Sequence, residues 1–217
     1  MTDNSRHLPR TIWIGFSLLF GLLGLAWLLS LAENQRRHQR PPPVLGQIAD
    51  FTLTNQNGQA TTLADLTNHV WVADIIFTRC AGPCPRLTRQ MQALQDALPQ
   101  TSGAKLVTLT TDPDNDVPPV MKKYGERFSA DFNRWTFLTG TKMEIAALAG
   151  GSLKLSAMPV KPEERKDDAD LFIHTTIFVV VDKHAQLRGA FETGGDGVDW
   201  SKVQPHLLKM IRQLENE

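Results

Sequence analysis

The chain has 217 residues, 41% apolar and 21% charged, and its 23 basic side chains are balanced by 23 acidic ones. That is an ordinary globular composition with no basic face for nucleic acid. Two cysteines are too few for a disulfide-stapled scaffold.

The charge is unevenly placed. Residues 1–44 carry Arg6, Arg10, Arg36, Arg37 and Arg40 against Asp3 and Glu33, which leaves 18 basic and 21 acidic residues in 45–217. After a short segment at 1–10, the 22 residues from Thr11 to Ala32 contain no charge. As a helix they reach ~33 Å, enough for the hydrocarbon core of a bilayer. Trp13 and Trp27 lie toward the ends of the run, where indoles prefer the interface. Ser30-Leu31-Ala32 resembles a signal-peptide cleavage site, but the apolar stretch exceeds a signal's usual ~7–15 residues, so 11–32 is read as an uncleaved anchor. Arginines flank both ends, so charge alone leaves the orientation open. Residues 33–45 are polar and include Pro41-Pro42-Pro43, a stiff spacer before one domain at 46–217.

Within the domain, Phe51–Thr54 and Ala60–Leu63 flank Asn55-Gln56-Asn57-Gly58, a hairpin signal. Trp71–Phe77 is a mostly apolar run expected to be a central strand. Pro85, Leu87, Met91, Leu94 and Leu98 follow Cys84 at helical spacing. Lys105–Thr110 is expected as a second buried strand, and Asp116 as the cap of a helix to about Phe128. Trp135–Leu138 reads as strand, Lys142–Ala149 as helix, Ile173–Val181 as strand, Asp182–Ala185 as turn and Leu187–Phe191 as strand. Asp199 opens a last helix with Val203, Leu207, Leu208, Ile211 and Leu214 on its apolar side. This alternation describes an α/β layered domain.

Both cysteines fall in Cys80-Ala81-Gly82-Pro83-Cys84, between a buried strand and a helix N-terminus. A helix N-terminus favours thiolate, and thiolates select soft metals such as Cu(I) or Zn. Two sulfurs alone do not close a zinc site. The redox C-x-x-C motif has one residue fewer between its sulfurs, so the longer loop weakens a plain thioredoxin reading. His174, in Phe172-Ile173-His174-Thr175-Thr176, starts a predicted strand, and its role depends on whether the fold brings it to the cysteine loop. Solvated or cap roles are expected for His7, His38, His69, His184 and His206. Asp112-Pro113-Asp114-Asn115-Asp116 begins like a calcium loop, but Val117 and Lys123 replace its required Gly and Glu. Met91, Met121 and Met158 are read as core before thioether ligands.

Over about residues 45–215 the chain resembles the Sco/SenC family of membrane-tethered copper proteins. The likeness is carried in order by Ile75-Ile76-Phe77-Thr78-Arg79-Cys80 with C-x-x-x-C, by Thr110-Thr111-Asp112-Pro113 with Asp116, and by His174-Thr175-Thr176. It implies a thioredoxin-like α/β fold with a single N-terminal transmembrane helix. It also implies a copper site, Cu(I) or Cu(II), of Cys80, Cys84 and His174, with Asp112 and Asp116 in a supporting role outside the ligand set. His174 would stand where thioredoxin-like proteins carry a cis-proline facing the thiols. The implied work is assembly of the binuclear copper site of cytochrome c oxidase, with the copper-site subunit and a copper donor protein as partners. The implied setting is a bacterial inner membrane, single-pass, with the soluble domain on the periplasmic side. Ala81-Gly82-Pro83 is smaller than is usual in the family, which bears on copper affinity and loop rigidity. Three readings stay open: a metallochaperone that needs His174, a thiol–disulfide reductase that needs only the redox pair Cys80 and Cys84, and an interaction module without metal or redox chemistry.

Overall fold

The computed structural model describes residues 10–39, 41–155, 158–159, 172–173, 176–195 and 197–217. The chain divides into two compact units, 1–41 and 42–217. The first is helix α1, Arg10–Gln39, whose stretch Trp13–Leu31 is long and apolar enough to cross a membrane.

The second unit is built on a mixed sheet whose strands run β1 (Gly46–Gln47), β10 (Gln186–Glu192), β9 (Ile177–Val181), β4 (Trp71–Ile76), β5 (Lys105–Thr110), β6 (Trp135–Thr139), β2 (Thr52–Asn55), β3 (Ala60–Thr62). β4, β5 and β6 are parallel, and the remaining neighbours in the sheet are antiparallel. Every residue of β4 is buried, as expected of a strand covered on both faces. Side chains alternate across it. Val72 and Ile76 join the core under α3 (Cys84–Ala97), α4 (Pro118–Arg127) and α6 (Trp200–Glu215). Trp71, Ala73 and Ile75 face the other way, toward α2 (Leu63–Leu66) and α5 (Lys142–Ala146). The crossovers through α3 and α4 put the loops after β4 and β5 side by side at the C-terminal ends of parallel strands, where α/β sheets place their sites.

The hairpin, the buried strands and α3 match the sequence reading, and Gly58 turns the hairpin at φ +77°. Asp199 caps α6, accepting from Ser201 N at 3.0 Å, and Leu207, Ile211 and Leu214 are its buried face.

Three expectations change. Asp116 does not cap α4: the N-cap is Val117, with Pro118 preset for the first turn, and Asp116 turns inward instead. The helix expected over 142–149 keeps α geometry only to Ala146, then widens into a π turn over Ala147–Ser152 that contains Gly150 and Gly151. The strand expected over 173–181 is two elements. β8 (Phe172–Ile173) pairs with β7 (Met158–Pro159) in a separate ribbon, and β9 begins only at Ile177.

Candidate metal centre

Cys80 and Cys84 sit on the loop that leaves β4 and enters α3. The loop tightens as Cys80 N donates to Phe77 O at 3.2 Å, and Pro83 precedes the first helical residue, Cys84. Both cysteines are buried and neither is in a disulfide. A hydrogen bond joins the two thiols and is the main reason the Cys84 thiol is pushed well up from its ordinary value. Burial adds to the push, and a backbone hydrogen bond from Phe77 opposes it. The thiolate expected from the helix N-terminus is therefore not the resting state of Cys84. Its sulfur points into the core, where the shared proton and the missing water outweigh the helix dipole.

Behind the pair lies a polar frame. Thr88 Oγ1 donates to Cys84 O at 2.9 Å and lies 2.9 Å from the Tyr124 hydroxyl. Asp74, in the middle of β4, is wholly buried; burial pushes its carboxyl up to about 7 against the hydrogen bond from Thr108 Oγ1 at 2.6 Å. Trp135 Nε1 in turn donates to Thr108 at 2.9 Å. Among the described residues the other oxygen of Asp74 has no hydrogen-bond partner, and its charge is felt at Cys84 and Tyr124. The sequence signal for Asp74 was present, a lone carboxylate inside an apolar strand run. The hydrophobicity of the run by itself does not distinguish it.

Asp116 and Asp112 stand beneath the same loop. Asp116 accepts from Thr78 N at 3.0 Å, from Thr78 Oγ1 and Thr110 Oγ1 at 2.5 Å each, and from Asn115 Nδ2 at 2.7 Å. Asp112 accepts from Arg79 Nη2 at 2.6 Å and Nε at 3.2 Å. The two carboxylates thus hold Thr78 and Arg79, the residues leading into Cys80.

Two sulfurs within hydrogen-bond reach suit one soft cation bound in place of the shared proton. Among the described residues no set of three or more His, Cys, Asp or Glu groups converges as a metal site. His174 lies outside the described residues. Met91 and Met121 are core residues, Asp114 pairs with Lys142 at the surface, and the side chain of Met158 is outside the described set. His69 is tied to Gly103 O at 2.9 Å and His206 to Lys202 O at 2.7 Å.

Comparison with known proteins adds independent findings. Residues 41–202 match the family model SCO1/SenC. The SCO1 protein homolog of Bacillus subtilis is 36% identical over 141 residues, covering 64% of this chain and 70% of that protein. The structure of BsSco, described as having a disulfide switch and as a member of the Sco family of cytochrome c oxidase assembly proteins, superposes with a TM-score of 0.65 at 30% identity, over 80% of this chain and 98% of the other. Copper-bound ScoI of Bradyrhizobium japonicum shares the fold, with a TM-score of 0.63 at 21% identity over 77% of this chain and 99% of that one.

Proposed function

This chain belongs to the SCO1/SenC family, and we propose that it is a membrane-anchored copper-delivery protein that assists assembly of the binuclear copper site of cytochrome c oxidase. Its thioredoxin-like α/β domain follows an apolar helix suited to cross a membrane. In this reading α1 holds the chain in a bacterial inner membrane, with the domain on the periplasmic side. The copper-site subunit of the oxidase and a copper donor protein are its partners.

One observation carries the proposal: the thiols of Cys80 and Cys84 are hydrogen-bonded to each other on a loop whose approach is held by Asp116 and Asp112. Copper is the cargo. Cys80 and Cys84 supply two sulfurs, giving up their protons on loading, and His174 supplies an imidazole nitrogen, a set that accommodates both Cu(I) and Cu(II). The frame behind the sulfurs keeps them preorganised, so loading costs little rearrangement. An incoming cysteine of the oxidase subunit displaces these ligands one at a time.

The thiol contact also favours a second reading. A dithiol already in hydrogen-bond contact can reduce a target disulfide, the target gaining two thiols while Cys80 and Cys84 become disulfide-bonded. BsSco, 30% identical, is described as having a disulfide switch.

The test is copper stoichiometry and the ultraviolet–visible spectrum of the reduced full-length chain beside its His174→Ala form. One copper per chain, with a thiolate-to-Cu(II) band lost in the variant, supports delivery. No retained copper in either form, with a readily cycled Cys80–Cys84 disulfide, supports the reductase.

A further inference from the structure

The helix that opens with Cys84 is joined to the strand that follows His174 by contacts the ligand assignment does not use. Thr176, just ahead of β9, offers its carbonyl to Thr193 N at 2.6 Å and to Thr193 Oγ1 at 2.9 Å. Its own Oγ1 lies 2.6 Å from Glu192 Oε1 and 2.8 Å from Gly194 O. Thr193 is held in turn by α3, where Gln90 donates Nε2 to Thr193 O at 2.7 Å. Gln90 is 8% exposed, so a buried amide is committed to that one carbonyl.

Arg86, one turn before Gln90 on α3, lies against Gly194. A Cβ built there would stand 2.2 Å from Arg86 Nη2 and 3.1 Å from Thr176 Cβ. Space, not a left-handed φ, is what demands glycine at this position. The 193–194 segment is therefore a junction: Thr176 and Arg86 both crowd the Cβ position of Gly194, and Gln90 holds the carbonyl of Thr193.

Arg86 is two residues past Cys84 and Thr176 two past His174, and two peptide units span at most ~7.6 Å between Cα atoms. We propose that Thr176 is a positioning residue for copper capture: through Thr193 and Gly194 it keys the histidine end of β9 to the turn of α3 that carries Cys84. The proposal rests on the reading of His174 as the third ligand. It adds a determinant outside the ligand set, since outer partners of metal ligands govern how well a site is preorganised.

The test uses the full-length chain in detergent with Thr176→Val, Thr176→Ser, Gly194→Ala and His174→Ala. Copper affinity is read by competition with a chelator, and the thiolate-to-Cu(II) band and electron paramagnetic resonance spectrum are read at saturating copper. Thr176→Val is expected to weaken Cu(II) about 10-fold, the low end for loss of an outer partner, and to shift the saturated spectrum. Thr176→Ser should restore both, and Gly194→Ala, which keeps the Thr176 side chain but crowds it and displaces the carbonyl its hydroxyl meets, should repeat the Val phenotype. A merely structural role would lower the melting temperature and leave the saturated spectrum unchanged. Wild-type spectrum and affinity in Thr176→Val and Gly194→Ala, with the band lost in His174→Ala, overturn the proposal and leave the ligand reading standing. A band unchanged in His174→Ala overturns the ligand reading and the proposal together.

Discussion

Asp116 and Thr78 are joined twice, through the Thr78 amide at 3.0 Å and the Thr78 hydroxyl at 2.5 Å, across 38 positions of sequence. The bond ties the loop after β5 to the loop after β4, two residues ahead of Cys80. Asp116→Ala leaves the Thr78 N–H and the buried Thr110 hydroxyl without their acceptor. The expected loss is about 2–4 kcal/mol of stability, one to two unsatisfied buried groups. Urea unfolding measures it, and the alkylation of Cys80 should quicken in the folded protein. A variant with wild-type stability and alkylation would remove Asp116 from the support of the loop.

Asp74 gives stability a pH dependence. With its carboxyl pushed up to about 7 in the fold, against an ordinary value of 3.8, the native state keeps a proton that the unfolded chain has lost between those values. Stability contributed by this group therefore falls as pH rises from about 4 to about 7, and the penalty is complete above 7. Cys84 and Tyr124, the neighbours that feel its charge, are pushed up and stay neutral through that window. Unfolding free energies of wild type and Asp74→Asn at pH 5 and pH 8 should differ in slope by about 2 kcal/mol, the worth of one to two pH units. Parallel slopes would contradict the assignment.

Arg188, 6% exposed, clamps three parts of the domain. Its guanidinium donates to Pro42 O at 2.8 and 3.0 Å, to Asp182 Oδ2 at 2.5 Å and to Glu217 at 2.9 and 3.2 Å. Arg188→Met strands the buried Asp182 carboxylate and should cost about 3–5 kcal/mol, the range for breaking one side of a buried pair. Thermal unfolding decides it. Arg188→Met with Asp182→Asn should recover part of the loss, because the stranded charge is gone.

The Cys80 thiol is the main cause that holds Cys84 protonated, ahead of burial. In metal-free protein, Cys80→Ala should therefore speed alkylation of Cys84 at pH 8, as thiolate is the reactive form. Mass spectrometry of the modified peptide reads the rate. A rate equal to or below that of Cys84 in the wild type would show that burial, not the shared proton, controls it.

Much of this was legible in the residues. Trp71–Ile76 and Lys105–Thr110 announce buried strands because a parallel strand covered on both faces must be apolar nearly throughout. α3 and α6 show their buried stripes at helical spacing. The closeness of Cys80 and Cys84 needs no tertiary structure, since a five-residue segment contains both. Asp116 shows the opposite case. Local preference makes an aspartate before Pro118 a cap, whereas the order β4–β5 brings Thr78 and Thr110 around it, and two long-range donors from Thr78 with the Thr110 hydroxyl outweigh one local amide.

By itself, then, the sequence determined the apolar span, the alternating elements and a dithiol loop at a helix start, because each is a matter of composition or of contacts within a few residues. Only the tertiary structure decided that Asp74 lies within electrostatic reach of Cys84, that Asp116 holds Thr78, and that Thr176 meets α3 through Thr193 and Gly194. Those pairings join residues that only strand order and crossover direction bring together, and no local spacing encodes them.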